Sequence, residues 1–331
     1  MKAIVYTEYG PPDDVLELRE VEKPTPKDDE VLVKVRAASV NYSEWAFVRG
    51  KPFISRLWSG GLLKPKYKIP GADVAGRVEA VGRNVKQFQP GDEVFGELGL
   101  FGLGAFAEYV SVPENALVLK PTNISFEEAA AVPYTAITAL QGLRDKGQIQ
   151  PGQKVLVNGA SGGIGTFAVQ IAKSFGAEVT GVCSTRNLEM VRSIGADQVI
   201  DYTQEDFTKS GQPYDLILAA GGYRSIFDYK RALSPKGIYV WAGGSMAGLF
   251  QAVFLGSLIS MTGSKKMVNV VPAGTIQKDL VFLKELLEAG KVVPVIDRRY
   301  PLSEVPEAVR YYGEGHSQGK VVITVEHNNN T

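Results

Sequence analysis

A glycine-rich turn between two apolar segments, VLVNGASGGIGTFAVQIAK at residues 155–173, is the feature that most restricts the fold. The residues before the turn predict a buried strand, and apolar residues after it recur at helical spacing, at Ala168, Ile171, Ala172 and Phe175. A helix that begins directly after a strand offers unpaired N–H groups and the positive end of its dipole. The segment therefore predicts an anion-binding turn at a strand-to-helix junction.

The glycines of this turn are spaced as GxxGxxG. Gly159, Gly162 and Gly165 set the spacing, and Gly163 and Ile164 lie between the last two. The spacing departs from the GxGxxG of dinucleotide-binding folds, so the turn alone is weak support for such a site. Alternating strands and helices follow it, as in a doubly wound sheet, and this context strengthens the interpretation. We predict that these five residues bind the pyrophosphate of a dinucleotide.

The end of the next strand distinguishes between two cofactors. An NAD site carries Asp or Glu there to bind the ribose 2′-hydroxyl. This chain has no acid after Cys183 and reads Ser184-Thr185-Arg186, where an arginine is suited to a 2′-phosphate. The alternative is that Arg186 merely caps an exposed loop. We predict NADPH as the cofactor.

The order of predicted elements indicates two domains in an α/β chain. Short strands punctuated by Gly and Pro fill the first 120 residues, and a helix then begins after Ser125, a predicted N-cap. Strands and helices alternate from there to Pro272, as in a parallel sheet covered on both faces. We expect a β-rich domain at 1–124, a nucleotide-binding domain at 125–272, and a closing segment at 273–331 that completes the first domain.

Composition excludes several classes of function. The 36 basic and 36 acidic residues give no net charge to attract nucleic acid. One cysteine, Cys183, and two histidines, His316 and His327, are too few for a disulfide framework or a four-ligand zinc cluster. The N-terminus leads into a strand without a secretory signal, so we expect a cytoplasmic protein. Residues 237–264 carry no charge, and we interpret them as a buried strand and a helix packed against a partner subunit or a pocket, with membrane attachment as the alternative.

The turn is also similar to that of short-chain dehydrogenases, which carry a catalytic Tyr-x-x-x-Lys. None of the 14 tyrosines is followed by Lys four residues later. The chain instead resembles the medium-chain dehydrogenase/reductase superfamily, and within it the zinc-independent quinone oxidoreductase branch. The matching segments run from MKAIVY to GKVVITV and include IPGADVAGRVEAVGRNVKQFQPGDEVFG, GAFAEYVSVPENALVLKP, AAAVPYTAITAL and GADQVIDY.

This resemblance implies a GroES-like β-rich domain joined to a Rossmann domain, and subunits that pair through their Rossmann sheets into a homodimer. Zinc-dependent relatives carry a Cys where this chain has Ser39-Val40-Asn41, and Gly-His-Glu where it has Gly71-Ala72-Asp73. Both metal ligands are therefore missing, and any carbonyl must be polarised without a Lewis acid. Substrates with an already activated acceptor carbon are favoured.

The resemblance also implies roles for single residues. Asn41 and Thr135 match catalytic positions, the first as a donor to a substrate carbonyl and the second beside the nicotinamide. A turn-forming Asn and a helix hydroxyl bonded to its own backbone are the alternatives. Ser184, Arg186 and Tyr202 match positions around the adenosine 2′-phosphate, although Tyr202 could simply pack at a strand end.

Two further strand ends are rich in glycine, AAGG at 219–222 and WAGG at 241–244. Ligands bind at the carboxyl edge of such sheets, so we predict contacts with the cofactor from Ala220, Gly221, Trp241 and Gly243. By resemblance, Gly319 and Lys320 belong to a segment that reaches the cofactor, whereas a solvated lysine is the ordinary alternative.

Residues 45–68 form a loop that varies within the family. Trp45, Phe47 and Trp58 are predicted to form an apolar wall of the substrate pocket, and basic residues in the loop would favour an acidic group. A solvated basic lid with ordinary aromatic packing is the alternative.

These observations predict an NADPH-dependent reductase that transfers hydride to small lipophilic quinones or α,β-unsaturated carbonyls. One alternative is reduction of activated aldehydes or enoyl thioesters by the same step. Another is a cofactor-binding, membrane-associated protein with little catalysis, which the uncharged stretch at 237–264 would favour.

Overall fold

The computed structural model describes residues 1–53, 55–58, 61–222, 224–270 and 276–327. Its strands are β1 (Lys2–Val5), β2 (Glu17–Glu20), β3 (Glu30–Val40), β4 (Asp73–Val81), β5 (Glu93–Glu97), β6 (Tyr109–Pro113), β7 (Leu117–Leu119), β8 (Lys154–Asn158), β9 (Glu178–Cys183), β10 (Gln198–Asp201), β11 (Tyr214–Ala219), β12 (Leu233–Trp241), β13 (Lys266–Asn269), β14 (Ile296–Pro301) and β15 (Lys320–Thr324). Its α-helices are α1 (Pro12–Val15), α2 (Tyr42–Arg49), α3 (Ser55–Trp58), α4 (Phe126–Ala130), α5 (Pro133–Leu140), α6 (Gly163–Ser174), α7 (Leu188–Ser193), α8 (Ile226–Ala232), α9 (Met246–Phe250), α10 (Gly256–Thr262), α11 (Ile276–Glu288) and α12 (Val305–Gly313).

Residue packing divides the chain into two units. The first unit comprises Met1–Tyr134, Thr275–Glu288 and Pro294–Thr331, and the second comprises Thr135–Gly274 and Ala289–Val293. The domain limits expected from the sequence stay a prediction, because packing within one chain does not establish which segments fold independently.

The second unit is built on a parallel sheet. Its described strands lie in the order β10-β9-β8-β11-β12-β13, and every neighbouring pair is parallel. Val155, Leu156 and Val157 in the central strand β8 are fully buried, as an apolar strand covered on both faces must be. The chain leaves β8 towards β9 on one side and later returns to β11 on the other. The predicted doubly wound sheet is confirmed, and its switch point lies between β8 and β11.

Helix α6 follows β8 and is buried on more than one side. Ala168, Ile171 and Ala172 of the predicted face are fully buried, whereas Phe175, its fourth residue, follows the end of α6 and is half-buried. Phe167 and Val169 are fully buried as well. Its buried polar side chain Gln170 is hydrogen-bonded, since its Nε2 donates to the carbonyl oxygens of Thr166 and Val293 at 3.0 and 2.9 Å. Its close fit to the sheet fixes where its first turn points.

The first unit is built on a mostly antiparallel sheet. Its strands lie in the order β14-β15-β3-β4-β5-β7, with β6 also paired to β3, and β1 and β2 form a separate hairpin. Strand β15 lies near the end of the sequence. It pairs parallel with β14 and antiparallel with β3. The register places Val321 opposite Val40, so the residue before it, Lys320, lies next to the end of β3.

The predicted N-cap at Ser125 and the predicted succession of a strand and a helix in residues 237–264 are present. Ser125 caps α4, since its Oγ accepts from the N–H of Glu128 at 3.1 Å while Glu128 Oε2 accepts from the N–H of Ser125 at 2.7 Å. The uncharged stretch forms the end of β12 and then a helical segment from α9 through a π-helical turn to α10. Among the described helices, none is long and apolar enough to cross a membrane.

Candidate active site

The glycine turn after β8 is tightly packed against the strand end beside it. Gly159 has φ +84°, and a Cβ there would lie 2.7 Å from the backbone nitrogen of Gly221. A Cβ on Gly165 would lie 2.0 Å from the carbonyl oxygen of Gly159. No side chain fits at either position, so these two glycines are required by the fold itself.

Gly162 differs from its neighbours in the turn. It precedes α6 with φ −84° and ψ 176°, which any residue can adopt, and a Cβ there would meet only the oxygen of Gly159, at 3.6 Å. The fold therefore does not need a glycine at this position. The space that a Cβ would fill lies at the start of a helix of 12 residues, where a phosphate group is favoured.

The other predicted residues of this edge lie together. Gly163 and Ile164 form the first turn of α6, and Gly243 lies beside Ala220 and Ile164, since its Cβ would be 3.2 Å from the Ala220 oxygen and 3.4 Å from Ile164 Cδ1. Trp241 ends β12 opposite Ala219 and is half-buried. The carboxyl ends of β8, β11 and β12 thus bring the predicted glycines to one place.

The end of β9 carries hydroxyl and amide groups. Ser184 and Ser161 both accept from Asn187 Nδ2, at 3.2 Å and 2.9 Å. Arg186 and Tyr202 are exposed, and the Tyr202 N–H donates to the Cys183 carbonyl at 3.1 Å. The predicted residues Ser184, Arg186 and Tyr202 therefore lie at adjoining strand ends, and the glycine turn reaches them through Ser161.

The carboxylate nearest to this group along the chain, Asp201, is bonded to its own surroundings. Its Oδ2 accepts from Thr185 Oγ1 at 2.5 Å, and its Oδ1 accepts from the N–H and hydroxyl of Thr203 at 2.9 and 2.7 Å. The hydrogen bond from Thr185 is the main cause of a lowered pKa at Asp201. Asp201 therefore stays ionised and is held by the two threonines.

A second group of polar side chains is buried in the first unit, around Asp73. Ser39 Oγ and Asn41 Nδ2 donate to Asp73 Oδ2 at 2.7 and 3.0 Å, and the Tyr134 N–H donates to Oδ1 at 2.9 Å. Asp73 is fully buried. A buried carboxylate needs such donors, and it also needs a cation.

Lys320 supplies that cation. Its Nζ lies 3.3 Å from Asp73 Oδ2 and donates to Asn41 Oδ1, and its side chain is only 2% exposed. Burial lowers the pKa of Lys320, while the carboxylates of Asp73 and Glu44 act in the opposite direction. The structure thus places Lys320, a predicted cofactor-binding residue, in a buried ion pair. The Asn41 amide bridges the pair, because its Oδ1 accepts from Lys320 and its Nδ2 donates to Asp73, and Asn41 is 1% exposed.

Two more buried carboxyls lie near this ion pair. Glu44 accepts from the N–H groups of Asn41 and Ala72 at 2.8 and 2.9 Å, and burial together with Asp73 raises its pKa to about 7. Glu97 accepts from the Gly99 N–H at 2.7 Å, and burial, again with Asp73 nearby, raises its pKa to about 8. Both groups hold protons at pH values where an exposed glutamate is ionised.

The residues predicted to line the substrate pocket differ in their surroundings. Trp45 packs on the core of the first unit, 5.7 Å from the ring of Tyr42 and directly against Gly313. Phe47 is half-buried in the same helix, α2. Trp58 ends α3, but its side chain lies outside the described residues. Thr135 is buried in α5. Their roles toward a substrate stay predictions.

Known protein families and curated relatives together match almost the whole chain. A model of the alcohol dehydrogenase GroES-like domain matches residues 27–122, and one described as zinc-binding dehydrogenase matches residues 194–323. The chain is 36% identical over 338 residues to the chloroplast envelope quinone oxidoreductase homolog of Arabidopsis thaliana, covering 98% of both chains. The chain belongs to the quinone oxidoreductases of the medium-chain dehydrogenase/reductase superfamily.

Two further comparisons agree. This oxidoreductase chain is 35% identical over 340 residues to the NADPH-dependent alkenal/one oxidoreductase of Arabidopsis thaliana chloroplasts, covering 98% of this chain and 79% of that one. The solved quinone oxidoreductase of Coxiella burnetii superposes with a TM-score of 0.86 and 29% identity, over 98% and 99% of the two chains. The predicted fold, a GroES-like domain with a Rossmann sheet, is confirmed.

Sequence reasoning missed several polar residues of the oxidoreductase. Asp73 entered only as a position without a metal ligand, and its ion pair with Lys320 has no local signal, because the two residues are 247 positions apart. Asn187 and Ser161 were not singled out either. Their signal was present, since Asn187 follows Ser184 by three residues and Ser161 lies inside the glycine turn.

Proposed function

We propose that this oxidoreductase uses NADPH to reduce quinones or α,β-unsaturated carbonyls, and that it does so without zinc. The observation that carries the proposal is the open position at Gly162, at the start of α6. Packing of the fold does not require a glycine there, whereas a bound nucleotide phosphate would need the space that a side chain would fill. The names of two relatives, a quinone oxidoreductase homolog and an alkenal/one oxidoreductase, support the acceptor class.

The end of β9 supports NADPH over NADH. Ser184 and Arg186 stand where an NAD site carries an acid, and the carboxylate of Asp201 is held by Thr185 and Thr203. Hydroxyl and guanidinium donors suit a phosphate, which only accepts hydrogen bonds at neutral pH. The name of the Arabidopsis alkenal/one oxidoreductase includes the same cofactor.

The ion pair in the first unit supports catalysis without a metal. Ser39 and Asp73 stand at the two stretches where zinc-dependent relatives carry ligands, yet Ser39 donates to Asp73 and the Lys320 ammonium is paired with the same carboxylate. A divalent cation would have to displace a buried ammonium and its hydrogen bonds. Within the described residues, no three His, Cys, Asp or Glu side chains form a metal-binding group.

NADPH, when bound, supplies the hydride. The glycine turn and the first turn of α6 would hold its pyrophosphate, and Ser184 with Arg186 would hold its 2′-phosphate. Asn41 Nδ2 uses one hydrogen on Asp73, which leaves the other for a substrate oxygen. Without a Lewis acid, most of the rate comes from orientation of an acceptor that is already electron-poor.

The test is oxidation of NADPH and of NADH, followed by loss of the absorbance of the reduced nicotinamide, with panels of quinones, enones, saturated aldehydes and enoyl thioesters. We expect turnover of quinones or enones with NADPH, a lower rate with NADH, and no change after treatment with a zinc chelator. Turnover confined to saturated aldehydes or thioesters would reassign the substrate, and loss of activity with the chelator would refute the zinc-free mechanism.

A homodimer is part of the same proposal. In the described sheet, β13 has a neighbour on one side only, and α10 packs beside it through the Ser260 hydroxyl, which accepts from the Met267 N–H at 2.9 Å. The helical segment exposes apolar side chains, including Phe254 at 64% and Met261 at 83%. A sheet edge flanked by exposed apolar residues is suited to pairing with a second copy.

Sedimentation equilibrium tests the dimer, with Met261→Glu as the variant and Leu63→Glu, another exposed apolar residue, as the control. We expect a dimer that Met261→Glu weakens and Leu63→Glu does not. A wild-type monomer that pellets with anionic lipid vesicles would assign the surface to a membrane instead.

A further inference from the structure

The side chain of Asn187 joins the glycine turn to the end of β9. It is 4% exposed, and its Nδ2 donates to Ser161 Oγ at 2.9 Å and to Ser184 Oγ at 3.2 Å. Ser161 belongs to the turn and Ser184 follows β9, so one amide nitrogen connects the two segments that the proposed NADPH site requires.

The chemistry of the groups decides how the serine protons point. An amide nitrogen carries two hydrogens and accepts none, so each hydrogen serves one serine. A serine hydroxyl that accepts from Asn187 must direct its own hydrogen elsewhere, because the nitrogen cannot receive it. Asn187 thereby makes Ser161 and Ser184 into two hydrogen-bond donors held close together.

Arg186 adds a further donor beside the two serines, and the carboxylate of Asp201 does not compete for the serine protons. Arg186 lies between Ser184 and Asn187 in the chain, and both carboxylate oxygens of Asp201 accept from Thr185 and Thr203. A ribose 2′-hydroxyl is bound by an acceptor in NAD sites, whereas a 2′-phosphate needs donors. The two serine protons therefore suit the phosphate.

We infer that Asn187 is a positioning residue for cofactor selectivity, and that Ser161 and Ser184 are the hydroxyl donors it orients towards the 2′-phosphate of NADPH. This inference rests on the proposed NADPH function and deepens it. It assigns Ser161, a residue of the pyrophosphate turn, to the 2′-phosphate as well.

The first test is Asn187→Asp, which keeps the shape but replaces the donor with an acceptor. Both serine protons would then turn towards the new carboxylate, and its charge would oppose a phosphate. Isothermal titration should show at least about 50-fold weaker NADPH binding and less than about fivefold weaker NADH binding. Retained NADH binding also shows that the variant is folded. Equal weakening of both cofactors would overturn the inference.

The second test separates orientation from charge by a double-mutant cycle. Asn187→Ala should lower the preference for NADPH over NADH in the wild-type background, and should change it little in a Ser161→Ala/Ser184→Ala background, where no hydroxyl remains to be oriented. Ser193→Ala, which removes an exposed hydroxyl of α7 bonded to Met190, is the matched control. Additive effects in the cycle would refute the positioning role, even if Asn187→Ala alone lowered the preference.

The same titrations distinguish two kinds of failure. A wild-type protein that binds NADPH and NADH equally would refute the proposed cofactor itself. A wild-type protein that prefers NADPH, with a preference that none of the Asn187, Ser161 and Ser184 substitutions lowers, would leave that function standing and refute the role of Asn187.

Discussion

Alanine at Gly165 should lower stability, whereas alanine at Gly162, three residues earlier, should lower NADPH affinity and leave stability nearly unchanged. At Gly165 the new Cβ would lie 2.0 Å from the Gly159 oxygen and 2.8 Å from Ala160 Cα. Both are backbone atoms, so no flexible side chain can move aside. At Gly162 the new Cβ would meet only the Gly159 oxygen, at an ordinary distance of 3.6 Å.

These distances set the expected magnitudes. Overpacking costs about 1–3 kcal/mol, and we expect Gly165→Ala to lie at or above the upper end because the backbone itself must shift. Gly162→Ala loses roughly 0.5–1 kcal/mol as a helix N-cap and gains about as much from the less flexible unfolded chain. Its unfolding free energy should stay within about 1 kcal/mol of wild type. Its NADPH affinity should nevertheless fall at least tenfold, since the methyl group fills the space that the pyrophosphate needs, a change of about 1.4 kcal/mol.

Urea unfolding without cofactor gives the stability term, and titration with NADPH gives the affinity. Gly263→Ala is the matched control, because its Cβ would also lie 3.6 Å from a carbonyl oxygen, that of Ile259, at a negative φ. It should change neither quantity by much. If Gly162→Ala bound NADPH as tightly as wild type, the phosphate would not lie at Gly162. If Gly165→Ala were as stable as wild type, the packing argument would be wrong.

Three further predictions concern charge. Because the pKa of Glu97 is raised to about 8, the folded protein keeps a proton that the unfolded chain releases above about pH 4.5. Between those pH values the unfolding free energy should fall by up to about 1.4 kcal/mol per pH unit. Glu97→Gln should reduce that slope in urea titrations from pH 5 to 8, and an unchanged slope would contradict the buried proton. Lys320→Met leaves the Asp73 carboxylate buried without its cation and should lower the unfolding free energy by about 3–5 kcal/mol in the same assay, more than the loss of an exposed ion pair would. A decrease below about 1 kcal/mol would show that the pair is solvated. Arg186→Ala should raise the KM for NADPH at least tenfold more than the KM for NADH, and equal changes would remove Arg186 from the 2′-phosphate site.

Much of the second unit could be predicted from sequence because its signals are local. The strand before Gly159 and the helix face of Ala168 and Ala172 each depend on residues within a few positions of one another, as does the N-cap at Ser125 in the first unit. Such patterns reflect backbone and packing preferences that act over one or two turns. They place the glycines at one edge of a parallel sheet.

The sequence could not show what Gly162 and Lys320 do. All the glycines of the turn look alike along the chain, and only packing separates Gly165, which the fold requires, from Gly162, which it does not. A lysine near the end of a chain is normally solvated, and the burial of Lys320 depends on Asn41, 279 positions away. Tertiary contacts at that separation leave no periodic signal.

The strand that carries Lys320 also has a bearing on how the protein is made. Asp73 leaves the ribosome 247 residues before its cation does, roughly 10 to 50 s at about 5–20 residues per second. During that interval the antiparallel sheet lacks β15, and a carboxylate destined for its interior has no counter-ion. The six strands of the parallel sheet are contiguous between Lys154 and Asn269, so all of them leave the ribosome before β15 does. The N-terminal part of the nascent chain therefore lacks the buried counter-ion of Asp73 until β15 has been synthesised.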